Sequence, residues 1–128
     1  MTYYFAKTLH TTFDDAIHRV IAGLATEGFG VLSDIDVKAT LKKKIDVDFR
    51  NYRILGACNP HFAYQALSAD DKIGTMLPCS VVVQEHAPGT IEVAAIDPIA
   101  SMMAVKNDAL APIATEAQSK LKRVIETL

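Results

Sequence analysis

Apolar positions recur along this chain with two different periods, and the switches between them divide it into elements. From Tyr3 to Leu9 the residues alternate, with Phe5, Lys7 and Leu9 on one side, which is the two-residue repeat of a strand. Phe13, Ile17, Val20, Ile21 and Leu24 then recur at helical spacing, which predicts an amphipathic helix to about Glu27. Thr12 stands where the N-cap belongs, and Asp15, three residues on, completes a capping box. Gly28 stops this helix and Gly30 follows at once, so a strand is expected from Phe29 to Ile35. Asp36 caps a short helix in which Val37, Leu41 and Ile45 form the buried stripe, while Lys38, Lys42, Lys43 and Lys44 face outwards.

The second half repeats the alternation. Phe49 to Ala57 reads as a strand that carries Arg50 and Arg53 among apolar positions, and Pro60 starts a helix running from His61 to about Ala69. Cys79 to Glu85 and Thr90 to Ile96 are strands separated by Ala87-Pro88-Gly89, the clearest hairpin in the chain. Pro98 sets a boundary before a short helix, Ile99 to Val105. Asn107 or Asp108 recaps, and Leu110 to Leu128 forms the terminal helix, with Pro112 tolerable only in its first turn. No linker, repeat or low-complexity stretch interrupts residues 1–128, which read as a single domain. About five strands with one strong hairpin exclude a purely parallel sheet. The expected fold is two-layer α+β, a mixed or largely antiparallel sheet with helices mainly on one face. The other face must meet water or a partner subunit, and Tyr3, Tyr4, Tyr52 and Tyr64 are candidates to cover it.

Composition narrows the function classes. Thirteen basic residues against 15 acidic ones leave a formal net charge of −2, so no basic surplus argues for nucleic acid or an anionic membrane. No apolar run approaches the roughly 18 residues of a spanning helix, and the first residues lack a secretory-signal pattern, so the cytoplasm is the expected location. Two cysteines make no disulfide framework and suit a reducing compartment as thiols.

The candidate chemistry gathers where strands meet turns or helices: Cys58-Asn59-Pro60-His61, Leu77-Pro78-Cys79 and Asp97-Pro98. None completes a catalytic pattern. If these junctions share one end of the sheet, Cys58, Asn59, His61, Cys79 and Asp97 form a pocket for a small polar or anionic ligand, helped by Arg53 if it turns inward. The same residues have plainer uses. Buried cysteines are commonly core residues, and Asn59 can cap the helix that follows it. The 20 residues between the cysteines (59–78) match no standard metal ribbon or redox dithiol. Arg50 and Arg53, three apart on a strand, point to opposite faces, so one is expected to pair with an acid such as Asp97 or Asp36. Gly56 suits a close backbone approach near the cysteine junction. Met102 and Met103 fit core packing or an adaptable pocket wall.

Four segments resemble one family: Gly28-Phe29-Gly30-Val31-Leu32 with Ile35-Asp36-Val37-Lys38-Ala39-Thr40-Leu41, then Phe49 to Pro60, then Leu77-Pro78-Cys79, then Asp97-Pro98. Together they resemble the family called domain of unknown function 302 over nearly the whole chain. The resemblance implies a compact two-layer α+β fold that tends to form homodimers, and it implies no established activity. Family members usually carry glycine where this chain has Asp46, and an uncharged or apolar residue where it has His61. The leading expectation is thus a homodimeric small-ligand-binding or accessory domain without catalysis, cofactor or metal. A thiol-dependent redox or metal-binding protein using Cys58 and Cys79, and a structural or interaction module, are the alternatives.

Overall fold

Residues 2–128 are described by a computed structural model, with Met1 outside them. The strands are β1 (Tyr4–His10), β2 (Gly30–Asp36), β3 (Tyr52–Cys58), β4 (Cys79–Ala87) and β5 (Thr90–Ile96). The helices are α1 (Phe13–Thr26), α2 (Val37–Ile45), α3 (Pro60–Ala69), α4 (Pro98–Ser101) and α5 (Ala111–Glu126). All strands join one sheet in the order β1-β5-β4-β3-β2, and every neighbouring pair is antiparallel. Helices pack on one face of it. The two-layer α+β expectation therefore holds, with no parallel pair.

Alternation decides which face is buried. Leu55 and Ala57 of β3, Val81 and Val83 of β4, and Ile91, Val93 and Ala95 of β5 are all buried against the helices. Ala16, Ile17, Val20 and Leu24 of α1 meet them, as do Leu121, Val124 and Ile125 of α5. Each such aliphatic side chain removed from water contributes roughly 1.5–3 kcal/mol before conformational entropy is counted. A second apolar cluster of Ala66, Ile73 and Leu110, with Leu77 and Met102 against it, joins α3 to the segment before α5.

Several local expectations need correction. Helix α2 is capped by Asp36 as foreseen (Ala39 N to Oδ1, 2.9 Å), yet none of its residues is buried, and Ile45 is 63% exposed. Apart from the flanking strands β2 and β3, little lies over this helix, so Val37 and Leu41 are only half-buried and Ile45 is left in the open. The third strand begins at Tyr52, because Asn51 already turns its carbonyl to Glu85 N (3.0 Å) and Arg50 stacks over the rings of Phe49 and Tyr52. The capping box at Thr12 is half formed. Its hydroxyl accepts from Asp15 N (3.1 Å), but the Asp15 carboxylate takes the hydroxyl of Thr11. Helix α4 stops at Ser101, and a 3-10 turn at Asp108–Leu110, capped by Asn107, precedes α5. A further 3-10 turn at Ile73–Met76 has no forewarning in the apolar spacing.

The sheet's two edges are treated differently. On β1, Lys7 lies in the helix-facing row, where Nζ donates to the carbonyls of Glu126 (3.1 Å) and Leu128 (2.5 Å) at the end of α5. The Glu126 carbonyl is one that a helix C-terminus leaves without a partner, so the cation is matched there. On β2, the register shifts between Val31 and Ser33, which bulges Leu32 outwards at 71% exposure.

Candidate functional site

Antiparallel pairing carries the sequence's junctions to one end of the sheet. Ala57 lies opposite Cys79, so Cys58 at the end of β3 neighbours the start of β4. Ile96 lies opposite Tyr4, which brings Asp97 to the same end. There a cavity of about 40 Å³ opens, with Cys58, Asn59, Cys79 and Pro98 on its sheet side and α3 and α5 on the other. Its space follows from small residues. Ala63 and Ala66 of α3 face Ala114 and Ala117 of α5, and Met102 closes one side. This volume is far below the ~300 Å³ from which pockets for drug-sized ligands begin.

Each polar residue here has a defined task. Asn59 is buried and caps α3, its Oδ1 accepting from His61 N (3.1 Å) and Phe62 N (3.4 Å). Those first-turn donors are thereby occupied. Asp97 caps α4 through Ile99 N (3.0 Å), and both carboxylate oxygens accept from Gln118 Nε2 (3.0 and 3.1 Å). It sits beside the cavity, behind Pro98, without lining it. His61 is exposed on the first turn of α3 and does not line it either.

Arg53 is not part of this end. It lies at the start of β3, five residues from Cys58, or roughly 17 Å along an extended strand. Its partner is neither Asp97 nor Asp36 but Asp34, held through two guanidinium–carboxylate contacts, with Nε at 2.7 Å from Oδ1. Register explains the choice. Asp36 stands opposite Arg53, but its carboxylate is used to cap α2, which leaves Asp34 two residues along the same face. The bond from Arg53 holds the Asp34 carboxyl below the usual carboxylate range, and Asp34 in turn raises Arg53. A polar groove of about 260 Å³ surrounds the arginine, walled by Thr12, Asp14, Asp36 and Tyr52.

The thiols are unbridged and half-buried. Burial, and secondarily the neighbouring Cys58, pushes the Cys79 thiol up to about 11. At neutral pH it is a protonated group in an apolar wall, with no imidazole among the cavity's lining residues to activate it. Among the described residues, no group of three or more His, Cys, Asp and Glu side chains could hold a metal ion. Nor is any helix there long and apolar enough to cross a membrane.

Gly56 meets the close approach that its position suggested. A Cβ there would run into the Ser33 hydroxyl and stand 2.7 Å from Pro78 Cγ. Sequence reasoning missed the alanine walls, although the three-residue spacings Ala63–Ala66 and Ala114–Ala117 put each pair on one helical face. Across the sheet from the helices, Tyr3, Tyr4 and Tyr52 rim a shallow concavity of about 390 Å³ over Val82 and Ala94. Gln84 crosses its floor, accepting from Arg50 Nε (3.0 Å) and donating to Glu92 (3.2 Å). Tyr64 is not with the other tyrosines; it projects from α3 at 76% exposure.

Comparison with known proteins agrees with this architecture. A search of curated proteins finds no match. Among solved structures, the chain is similar to the crystal structure of an uncharacterized conserved protein DUF302 from Bacillus stearothermophilus, with a TM-score of 0.89 and 28% identity over 98% of each chain. The family described as Domain of unknown function DUF302 matches residues 5–128, nearly the whole of the five-stranded sheet and its helices. The chain therefore belongs to the DUF302 family.

Proposed function

We propose that this chain is a single-domain, non-catalytic binding protein of a reducing, cytoplasmic compartment, acting as a homodimer. The observation that carries the reading is the character of the cavity at the Cys58–Cys79 end. Its walls are apolar side chains and thiols apart from Asn59, whose oxygen is taken by the α3 backbone, and the thiol of Cys79 is held protonated. A thiol enzyme needs the opposite, an exposed cysteine of lowered pKa in electropositive surroundings. The anionic ligand loses its support for two reasons. Asn59 occupies the first-turn donors of α3, and Arg53 is paired at the far end of the strand. What fits the space is a small apolar or polarisable ligand.

The sheet's other face supports the dimer reading. Tyr3 is 65% exposed and Tyr4 41% exposed, packed edge-to-face at 5.1 Å between centroids, beside half-buried Ile54, Val82, Ala94 and Ile96. A row of this kind favours cover by a second copy over contact with water.

Methyl NMR of the reduced protein under xenon pressure tests the cavity. Shifts confined to Ala57, Ala63, Ala66, Ala114 and Ala117 are expected, and Ala114→Leu should abolish them. Unchanged spectra at saturating xenon would remove the reading. Native mass spectrometry is expected to give twice the 13.9 kDa chain mass at micromolar concentration, and a monomer would remove the dimer.

A further inference from the structure

We propose that the cavity is the inner end of a longer site for an unbranched aliphatic carboxylate, whose chain passes Met102 and whose head meets Lys106. This assignment rests on the cavity being a binding site and names the ligand class it takes. Met102 and Ala114, which line the cavity, also line a second space of about 460 Å³ between the segment from Ile99 to Asp108 and the start of α5. That second space falls within the ~300–1,000 Å³ of small-molecule sites, which the cavity alone does not reach.

Shape selects the chain. The outer space is walled by Ile99, Met103, Val105 and Leu110, and Met103 stands 67% exposed beside it. A bound alkyl chain would cover that apolar surface. Beyond Met102 and Ala114 the room narrows to about 40 Å³ among Ala57, Ala63, Ala66 and Ala117. A ring or a branched tail fills only the outer part, whereas a straight chain can occupy both. Met102 suits the position between them. It is half-buried, and an unbranched side chain with three rotatable bonds can swing aside while its backbone stays in place. That backbone is held, with Met102 N donating to the Pro98 carbonyl (3.1 Å) and Asn107 Nδ2, at the far end of the turn, to the Ala69 carbonyl (3.0 Å).

The polar groups of the outer space select the head. Asn107 Oδ1 accepts from Ala109 N (3.0 Å) and the Thr115 hydroxyl donates to the Ala111 carbonyl (2.9 Å), so both are already used within the fold. Lys106 and Asp108 are the two charged residues of the lining, and both are exposed. Among the described residues neither enters an ion pair. A carboxylate is attracted by the one and repelled by the other, which places it on the Lys106 side of the mouth. Solvent screening keeps both effects modest. The chain supplies most of the affinity, since each methylene taken out of water is worth about fourfold in binding.

The test is a methyl-NMR titration of the full chain with butanoate, hexanoate, octanoate and decanoate in turn. One equivalent per chain is expected, with affinity rising about fourfold per methylene until the tail fills the inner cavity. Octanoate should shift the methyl groups of Met102, Val105 and Leu110 together with those of Ala57, Ala63 and Ala66. Nuclear Overhauser contacts from its terminal methyl to Ala63 and Ala66 supply a readout in the wild type that needs no variant. Lys106→Met should weaken octanoate about threefold and Asp108→Asn should tighten it by a similar factor, both differences vanishing at high salt, while neither moves the affinity for 1-octanol. An absence of shifts at millimolar octanoate, shifts that spare Ala63 and Ala66, or octylamine binding as tightly as octanoate would overturn the proposal. Xenon shifts that persist when octanoate fails would remove the aliphatic chain and keep the cavity; loss of both would remove both.

Discussion

At its C-terminal end β3 delivers Cys58 to an apolar cavity, and at its N-terminal end it delivers Arg53 to a set of carboxylates. The two ends are built alike, each a strand–helix junction with an Asp or Asn cap. They use their polar groups differently. Near Cys58, the polar side chains of Asn59 and Asp97 satisfy helix backbone and leave the space between the elements to carbon and sulfur. Near Arg53, charged side chains satisfy one another in an open groove. The difference teaches that a cluster of polar letters in sequence is not yet a polar site. Whether it becomes one depends on how many of those groups the backbone has already claimed.

The sharpest way to break the cavity end is to crowd it. Gly56→Ala forces a methyl group against Ser33 and Pro78, and is expected to cost about 2–3 kcal/mol in chemical denaturation. A loss below ~0.5 kcal/mol would mean that the two neighbours give way and that the junction is looser than it looks.

The ends should also fail at opposite limits of pH. Burial raises Cys79 from 9.0 to about 11, so its contribution is complete below pH 9. Between those values the unfolded chain releases the proton first, and stability falls as pH rises, by on the order of 2 kcal/mol. Cys79→Ala should flatten this alkaline limb in urea melts taken from pH 8 to 11. An unchanged limb would contradict the burial of the thiol. Asn59→Ala, which strips the cap from α3, is expected to cost about 1–2 kcal/mol with no dependence on salt.

The charged end should respond more weakly. The lowered pKa of Asp34 makes its pair with Arg53 fully stabilising above the unfolded value near 3.8, and that contribution is lost as pH falls through the lower folded value. Both side chains retain exposure, 26% for Arg53 and 36% for Asp34, so solvent screening holds the effect of Asp34→Asn below ~1 kcal/mol. That variant should differ from wild type at pH 6 and converge with it in strong acid or high salt. A salt-independent loss greater than the one at Asn59 would reverse the ranking of the two ends.

How far the chain's letters reveal this molecule depends on the range of the physics involved. The bounds of β5, Thr90–Ile96, are read without error because a proline-glycine turn and Pro98 flank a strict alternation. The Asn59 and Asp36 caps are equally plain, since each concerns atoms within three residues. Arg53 is misplaced for a different reason. Its alternation shows which face it occupies but not which end of the sheet, and its partner was decided by Asp36 already being engaged. The α3 and α5 alanines leave no individual trace, because a void is a property of two surfaces brought together. Ile45 shows the reverse failure. An apolar residue at helical spacing implies a partner, and among the described residues little lies over Ile45 of α2. At its end Asp46 adopts φ 54°, the left-handed geometry that favours glycine, while Lys42 holds its carboxylate at 2.9 Å.

The ammonium of Lys7 reaches further than the helix end it binds. An outermost strand with free N–H and C=O groups is a template on which another chain can extend the sheet indefinitely. A charge facing inward on that strand resists being buried in such a stack. The outward bulge at Leu32 interrupts the opposite margin in its own way. With both margins unsuited to lateral growth, the pairing proposed through the tyrosine-rimmed face would use up that face on each copy and close at two chains instead of elongating into a fibre.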